Sequence, residues 1–151
     1  MNNKDKKPEE IFIEWSNRAK SGDLDAQYYT GYMLFWGIGV KKNRRRAAKF
    51  WRKAAEHGHT EAQYWLGTCY DCGFGGLKEN RALAIEWWRK SAANGHRGAM
   101  MAMVSIYVLS IFVGEGKAMI NKEEALEYCQ KAAMAGNCLA KQFLRDRNLW
   151  M

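Results

Sequence analysis

Cys69 and Cys72 stand three residues apart, the spacing of half a zinc site or of a dithiol redox pair, and His57 and His59 flank a single glycine, so that two imidazoles could face one metal. Neither pattern is completed. No second Cys or His pair follows Cys72 at a spacing that would close a tetrahedral site, and His96 also follows a glycine directly, which makes His59 part of a pattern rather than a ligand. Gly73-Phe74-Gly75-Gly76 has the glycine content of a phosphate loop but no preceding strand, so turn chemistry accounts for it. Paired catalytic carboxylates and a Ser/His/Asp order are also missing. The chain is therefore expected to be no enzyme and to need no metal or cofactor.

Charge is more informative. Lys41, Lys42, Arg44, Arg45, Arg46, Lys49, Arg52 and Lys53 place eight bases within residues 41–53 with no acid among them, a large part of the net +8. Arg44, Arg45 and Arg46 fall at a helix start, where the dipole disfavours cations by about 0.3–1 kcal/mol each. Local stability does not select that arrangement. The run reads either as a solvated face or as a docking patch for an acidic protein or a nucleic acid. Its confinement to one hairpin, without a nucleic-acid-reading motif, favours an acidic protein partner.

The elements that carry these residues are helices. With 48% hydrophobic residues the chain is too apolar to stay disordered, and Pro8 is its only proline. Residues 1–7 are polar and expected to be disordered, and no apolar signal core follows them, so export is not expected. Residues 98–114 carry no charge, but the run is shorter than the ~20 apolar residues of a membrane span and reads as a buried helix. The four cysteines lack the framework spacing of a secreted disulfide protein, which points to a reducing cytoplasm and free thiols.

A repeat organises the whole chain. Gly22, Gly58, Gly95 and Gly136 are each followed four residues later by alanine, at Ala26, Ala62, Ala99 and Ala140. Three residues before each glycine stand Ala19, Ala55, Ala92 and Ala133; seven before stand Trp15, Trp51, Trp88 and Cys129. Asn43, Asn80 and Asn121 each precede an alanine by four and read as N-caps, Asn121 with Glu124 as a capping box; Pro8 with Glu9 and Glu10 opens the first helix. The glycines fit helix ends. Eight helices follow, at 8–20, 25–36, 43–56, 60–72, 80–93, 97 to about 112, 121–135 and 138 to about 149. They pair as antiparallel hairpins in an all-α solenoid whose core comes from stacking. One domain, 8–151, is expected, with units near 22–57, 58–94 and 95–135 between half units 8–21 and 136–151. Residues 110–120 are expected to hold an extra helical turn or a larger loop.

Ala62-Gln63-x-x-Leu66-Gly67-x-x-Tyr70-x-x-Gly73, followed by Ala84-x-x-Trp87-Trp88-Arg89-Lys90-Ser91-Ala92-Ala93-x-Gly95-His96, resembles the Sel-one-like repeat (SLR), a relative of the tetratricopeptide repeat. Gly37-x-Gly39-Val40 and Lys53-Ala54-Ala55-Glu56-x-Gly58-His59 agree with it, and the likeness covers residues 11–144. The third unit departs most, with Val104 where the motif has glycine and an apolar stretch at 101–106. The resemblance implies a right-handed superhelix whose first helix in each pair lines a concave face. It places in that groove Asp25, Tyr28, Tyr32, Phe35 and Trp36; Glu61, Tyr64, Thr68 and Asp71; Met101, Ser105, Val108 and Leu109; and Leu139 and Gln142. Cys129 and Cys138 do not match the phase of the disulfides in the family's secreted branch. The resemblance also implies a protein-binding adaptor or scaffold, or an immunity-type inhibitor of a bacterial toxin. Nucleic acid on the basic run is the alternative.

Overall fold

The computed structural model describes residues 6–113 and 120–146, with the backbone alone at 110–113. Among them are eight α-helices and one 3-10 turn: α1 (Pro8–Lys20), α2 (Leu24–Trp36), α3 (Arg44–Glu56), α4 (Thr60–Cys72), the 3-10 turn Phe74–Gly76, α5 (Arg81–Ala93), α6 (Arg97–Val113), α7 (Lys122–Met134) and α8 (Cys138–Asp146). The all-α hairpin architecture read from the repeat is the one observed. Two compact units form, Met1–Ala84 and Ile85–Met151. In the first, α2 packs on α1 and α3, and α3 on α4; in the second, α7 packs on α6 and α8.

The starts of the seven helices α2 to α8 are each held by a side-chain acceptor at the N-cap. Asn43, Asn80 and Asn121 cap α3, α5 and α7 as expected, accepting from the backbone N–H of Arg46, Leu83 and Glu124 at 2.9, 3.0 and 2.7 Å. The intervening helices use a column that the sequence reading left uninterpreted. Asp23, His59, His96 and Asn137, each three residues before the repeating alanine, accept from Ala26, Ala62, Ala99 and Ala140 at 2.9, 3.1, 3.0 and 2.9 Å. The histidine after the glycine is thus a helix cap through Nδ1.

The glycines do what a side chain would obstruct, in two different ways. Gly22, Gly58, Gly95 and Gly136 have φ of +96°, +90°, +87° and +93°, and a Cβ added there would meet nothing within 4 Å, so backbone conformation alone requires them. Gly31 has ordinary helical geometry but a Cβ there would lie 2.6 Å from Trp51 Nε1. That close approach lets the fully buried Trp51 indole donate to the Tyr28 carbonyl at 3.2 Å and stack on Trp65 at 5.2 Å between ring centroids. The Ala-Gln pairs that open α2 and α4 have a parallel role: buried Gln27 and Gln63 donate to the carbonyls of Ala19 and Ala55 at 3.4 and 3.2 Å, tying each helix to the end of the one before.

The third unit exchanges its volumes. Val104, at the position of Gly31 and Gly67, is buried; Cys129, at the position of Trp51 and Trp88, is buried too. A larger residue on one helix accompanies a smaller one on its neighbour, which keeps the interior filled. The departure is a core exchange. Arg89 clasps Glu124 with two bonds of 2.6 and 3.0 Å and links α5 to α7.

α6 has 17 residues where α2 and α4 have 13, which supplies the extra turn expected at its end; residues 114–119 lie outside the described set. The α8 helix is described to Asp146, and the expected continuation to about 149 lies outside the described residues. Of the expected N-terminal tail, residues 1–5 are also outside, whereas Lys6 reaches Glu14 at 2.6 Å and the Lys7 N–H donates to Glu10 at 3.2 Å.

Gly31→Ala is expected to destabilise the protein by about 1–3 kcal/mol, because the methyl group drives into the Trp51 indole. Thermal unfolding checks this, and an unchanged midpoint contradicts the contact. Gly31→Ala combined with Trp51→Phe should recover part of the loss.

Candidate partner-binding surfaces

On α2 the side chains that reach solvent are Leu24, Asp25, Tyr28, Tyr29, Tyr32 and Trp36, and from Asp25 onward they form one stripe. The same register on α4 gives Glu61, Tyr64, Trp65, Thr68 and Cys72. These rings form a continuous set. Tyr28 lies 6.4 Å from Tyr32, Tyr32 lies 6.4 Å from both Trp36 and Trp65, and Trp36 lies 6.4 Å from Trp65. Trp36 is 49% exposed and Tyr29 45% exposed. Thr68 is less available than its position suggests, since its hydroxyl donates back to the Tyr64 carbonyl at 3.1 Å.

The expected groove needs one correction. Phe35 was grouped with Tyr28, Tyr32 and Trp36, but it is buried at 3% exposure among Trp36, Trp51, Trp65 and Phe74. Positions 28, 32 and 36 advance four residues at a time along one side of the helix; position 35 turns inward. The equivalent residues on α4 and α6 stay partly exposed. Asp71 is held by Arg81 at 3.1 Å, and Val108 is half-buried. Sequence reasoning also missed Tyr29 and Trp65, which the arithmetic of Asp25 plus four and Glu61 plus four would have found.

At the upper end of the stripe, His59 joins both helices. Its Nδ1 accepts from the Ala62 N–H, so the proton sits on Nε2, which donates to Asp25 Oδ1 at 3.1 Å. Its ring stacks on Tyr28 at 5.0 Å and 21°. Both nitrogens are committed, and His57 is turned elsewhere, with Nδ1 2.8 Å from the Lys53 carbonyl oxygen. Burial, with the nearby Glu61 carboxylate, pushes the Tyr28 phenol above its ordinary range.

In the second unit the corresponding positions on α6 are half-buried Met101, exposed Ser105 and exposed Leu109, the Ser105 hydroxyl donating to the Met101 carbonyl at 2.9 Å. On α8, Leu139 and Gln142 are exposed. This stripe is aliphatic.

The basic run forms a separate face. Lys41 and Lys42 lie in the turn before α3, and Arg44, Arg45, Arg46 and Lys49 are exposed along it. Arg46, Lys49, Phe50 and Lys53 line a cleft of about 320 Å³; Arg45, Lys49 and Arg52 border a second of about 190 Å³ beside Gly75 and Gly76. Two cations are already engaged. The Arg44 guanidinium stands 5.0 and 4.9 Å from the Phe35 and Phe74 ring centroids, and Arg52 donates to the Tyr70 hydroxyl at 3.0 Å. Among the described residues, Lys41, Lys42, Arg45, Arg46, Lys49 and Lys53 form no ion pair.

The Sel1 repeat model matches residues 24–59, 60–96 and 104–137. The chain belongs to the Sel1 repeat family. Two solved structures share the fold: a protective antigen present in uropathogenic Escherichia coli strains, displaying an SLR fold, and a Sel1 repeat protein from Oxalobacter formigenes. The first is 33% identical with a TM-score of 0.73 over 85% of this chain and 26% of its own length. The second is 30% identical with a TM-score of 0.76 over 90% of this chain and 53% of its own length. This chain thus spans about a quarter and about half of those two proteins. Sel1 repeat proteins generally mediate protein–protein interaction, on a fold that is generally non-catalytic. No helix among the described residues is long and apolar enough to cross a membrane.

The surroundings of the Cys69–Cys72 pair disfavour both thiolates. Burial pushes the Cys69 thiol up to about 12, with Cys72 adding to the shift and Arg44 opposing it; Cys72 is raised by desolvation and by Asp71 and Glu79. A raised thiol value leaves the nucleophilic thiolate scarce at neutral pH. All four cysteines are free, Cys129 and Cys138 included. Iodoacetamide at neutral pH should therefore leave Cys69 unmodified in the folded protein and label the exposed Cys72 slowly, accelerating only above its ordinary value of 9.0. Fast neutral labelling of Cys69, read by mass spectrometry, would contradict that environment.

Proposed function

We propose that this chain is a non-catalytic protein-binding module that docks a partner on the aromatic stripe of α2 and α4, with an acidic region of that partner lying against α3. One observation carries the reading: five aromatic side chains lie in register on α2 and α4, Tyr29 and Trp36 exposed and Tyr28, Tyr32 and Trp65 half-buried beside them. Rigid aromatic anchors on a preformed scaffold are the composition of binding hot spots. The unpaired cations of α3 supply electrostatic steering, which raises association rates more than it deepens affinity. The narrower role is an immunity-type inhibitor, and the compartment a bacterial cytoplasm, a setting that suits four free thiols.

Affinity purification of the partner tests this reading. Tyr32→Ala and Trp36→Ala are each expected to weaken a specific co-purifying protein by about 2 kcal/mol or more, roughly thirtyfold in Kd, with helicity and unfolding midpoint retained. Undiminished binding by both variants refutes the stripe. Arg45→Glu with Arg46→Glu and Lys49→Glu should slow association and flatten its salt dependence.

A second reading, nucleic acid or another polyanion on α3, is favoured by the same unpaired cations and the two clefts between them. It requires salt-sensitive binding to duplex or single-stranded DNA or RNA that disappears in that triple variant. No binding at low salt removes it.

A further inference from the structure

The net +8 of the chain conceals an opposite local charge on the surface that would hold the partner. The helices that bear the aromatic stripe, α2 and α4, contain no Lys or Arg and carry Asp25, Glu61 and Asp71. The helix between them, α3, carries Arg44, Arg45, Arg46, Lys49, Arg52 and Lys53 against Glu56 alone. Charge is therefore sorted among these three helices: the acids lie on the two that bear the aromatic rings, Asp71 already paired with Arg81, and the bases lie on α3.

From this arrangement we infer that the stripe of α2 and α4 takes a cationic segment, one whose Lys or Arg side chains lie over the Tyr28, Tyr32 and Trp36 rings and against the Asp25 carboxylate. The inference rests on the reading that the stripe is the docking surface, and gives the segment its chemistry. Aromatic faces carry negative quadrupole charge and attract a guanidinium or ammonium within about 6 Å of the centroid. A carboxylate beside the ring adds a charge-assisted hydrogen bond. Asp25 is placed for that work: its side chain is 73% exposed, and its bond to His59 occupies Oδ1, leaving Oδ2 toward solvent.

The molecule already assembles the same recognition unit from its own residues. Arg18 lies over the Trp15 ring at 4.5 Å and donates to Asp23 Oδ2 at 2.6 and 3.0 Å, one guanidinium shared by an indole face and a carboxylate. Trp15 in turn packs on Tyr29 at 4.8 Å, which places this unit at the edge of the stripe. Arg44, between Phe35 and Phe74, repeats the ring contact without the carboxylate. From Asp25 to Trp36 the stripe runs about 16 Å, the length of about five residues of extended chain. An acidic segment would meet the Asp25 and Glu61 charges at this surface. A purely apolar one would cover the Asp25 carboxylate without adding a charge beside it.

An oligo-arginine peptide and an oligo-glutamate peptide of equal length are the probes, titrated into the labelled protein near physiological salt, where charges beyond about 8 Å are screened. The arginine peptide is expected to shift the Trp36 indole and the Tyr28 and Tyr32 resonances; the glutamate peptide should shift Arg46, Lys49 and Lys53 instead. Asp25→Asn with Glu61→Gln should weaken the arginine peptide about tenfold, and Asp25→Lys with Glu61→Lys should abolish its binding, with thermal unfolding showing both variants folded. The inference is overturned if the arginine peptide leaves Trp36 unmoved, or if it binds the Asn/Gln variant as tightly as the parent. Should partner capture depend on Tyr32 while the arginine peptide fails, the docking surface stands and its cationic occupant does not. Should the arginine peptide bind through Asp25 while capture ignores Tyr32, the docking reading fails instead.

Discussion

The first unit depends on the absence of one methyl group. Gly31 lets α2 and α3 approach until the Trp51 indole lies against the α2 backbone, and from that position Trp51 bonds to Tyr28, stacks on Trp65 and contacts Phe35. The largest side chain of the core is thus paired with the smallest possible partner. Filling that space from α3 leaves α2 and α4 free to turn their remaining aromatics outward. Phe35 and Trp36 illustrate the division: adjacent in sequence and 5.0 Å apart, one is buried and the other half exposed. A surface ring supported by buried rings has few conformations to lose on binding, which lowers the entropic cost of using it.

Periodicity made the helices legible, because each repeat writes the same glycine, alanine and asparagine signals at nearly constant spacing. The Thr60–Cys72 and Pro8–Lys20 boundaries agree with the sequence reading residue for residue. The functional surface was harder to read for a geometric reason. Neighbouring residues on a helix differ by about 100°, so a column misplaced by one position moves from solvent to core. Phe35 was misjudged in that way. Tyr29 and Trp65 escaped because their types suit a core as well as a groove, and only burial separates the two.

The histidines show a different limit. A glycine followed by histidine signals a turn, but the reason for histidine appears only when its Nδ1 is seen accepting from an amide three residues on, as Asp23 and Asn137 do in the first and last hairpins. Four residues of three types share one role. Sequence comparison within the chain aligned them without revealing that they are equivalent as acceptors. In His59 the cap also fixes the tautomer, and the tautomer directs the Nε2 proton to Asp25. A stabilising device at a helix end thereby sets the orientation of a carboxylate on the aromatic stripe.

Net charge was the most misleading quantity, since the total of +8 is a sum over faces of opposite character. Packed helices lie about 8–10 Å apart, comparable to the screening length near physiological salt. A partner against Asp25 and Glu61 would therefore sense those charges more strongly than cations one helix away, whereas one approaching from a distance would sense the sum. Long-range attraction and short-range recognition then favour opposite signs. The partner proposed above, with an acidic surface for α3 and a basic segment for the rings, would satisfy both. Such a requirement for both signs in one partner discriminates against simple polyanions and simple polycations alike, which is specificity obtained from the arrangement of charge and not from its amount.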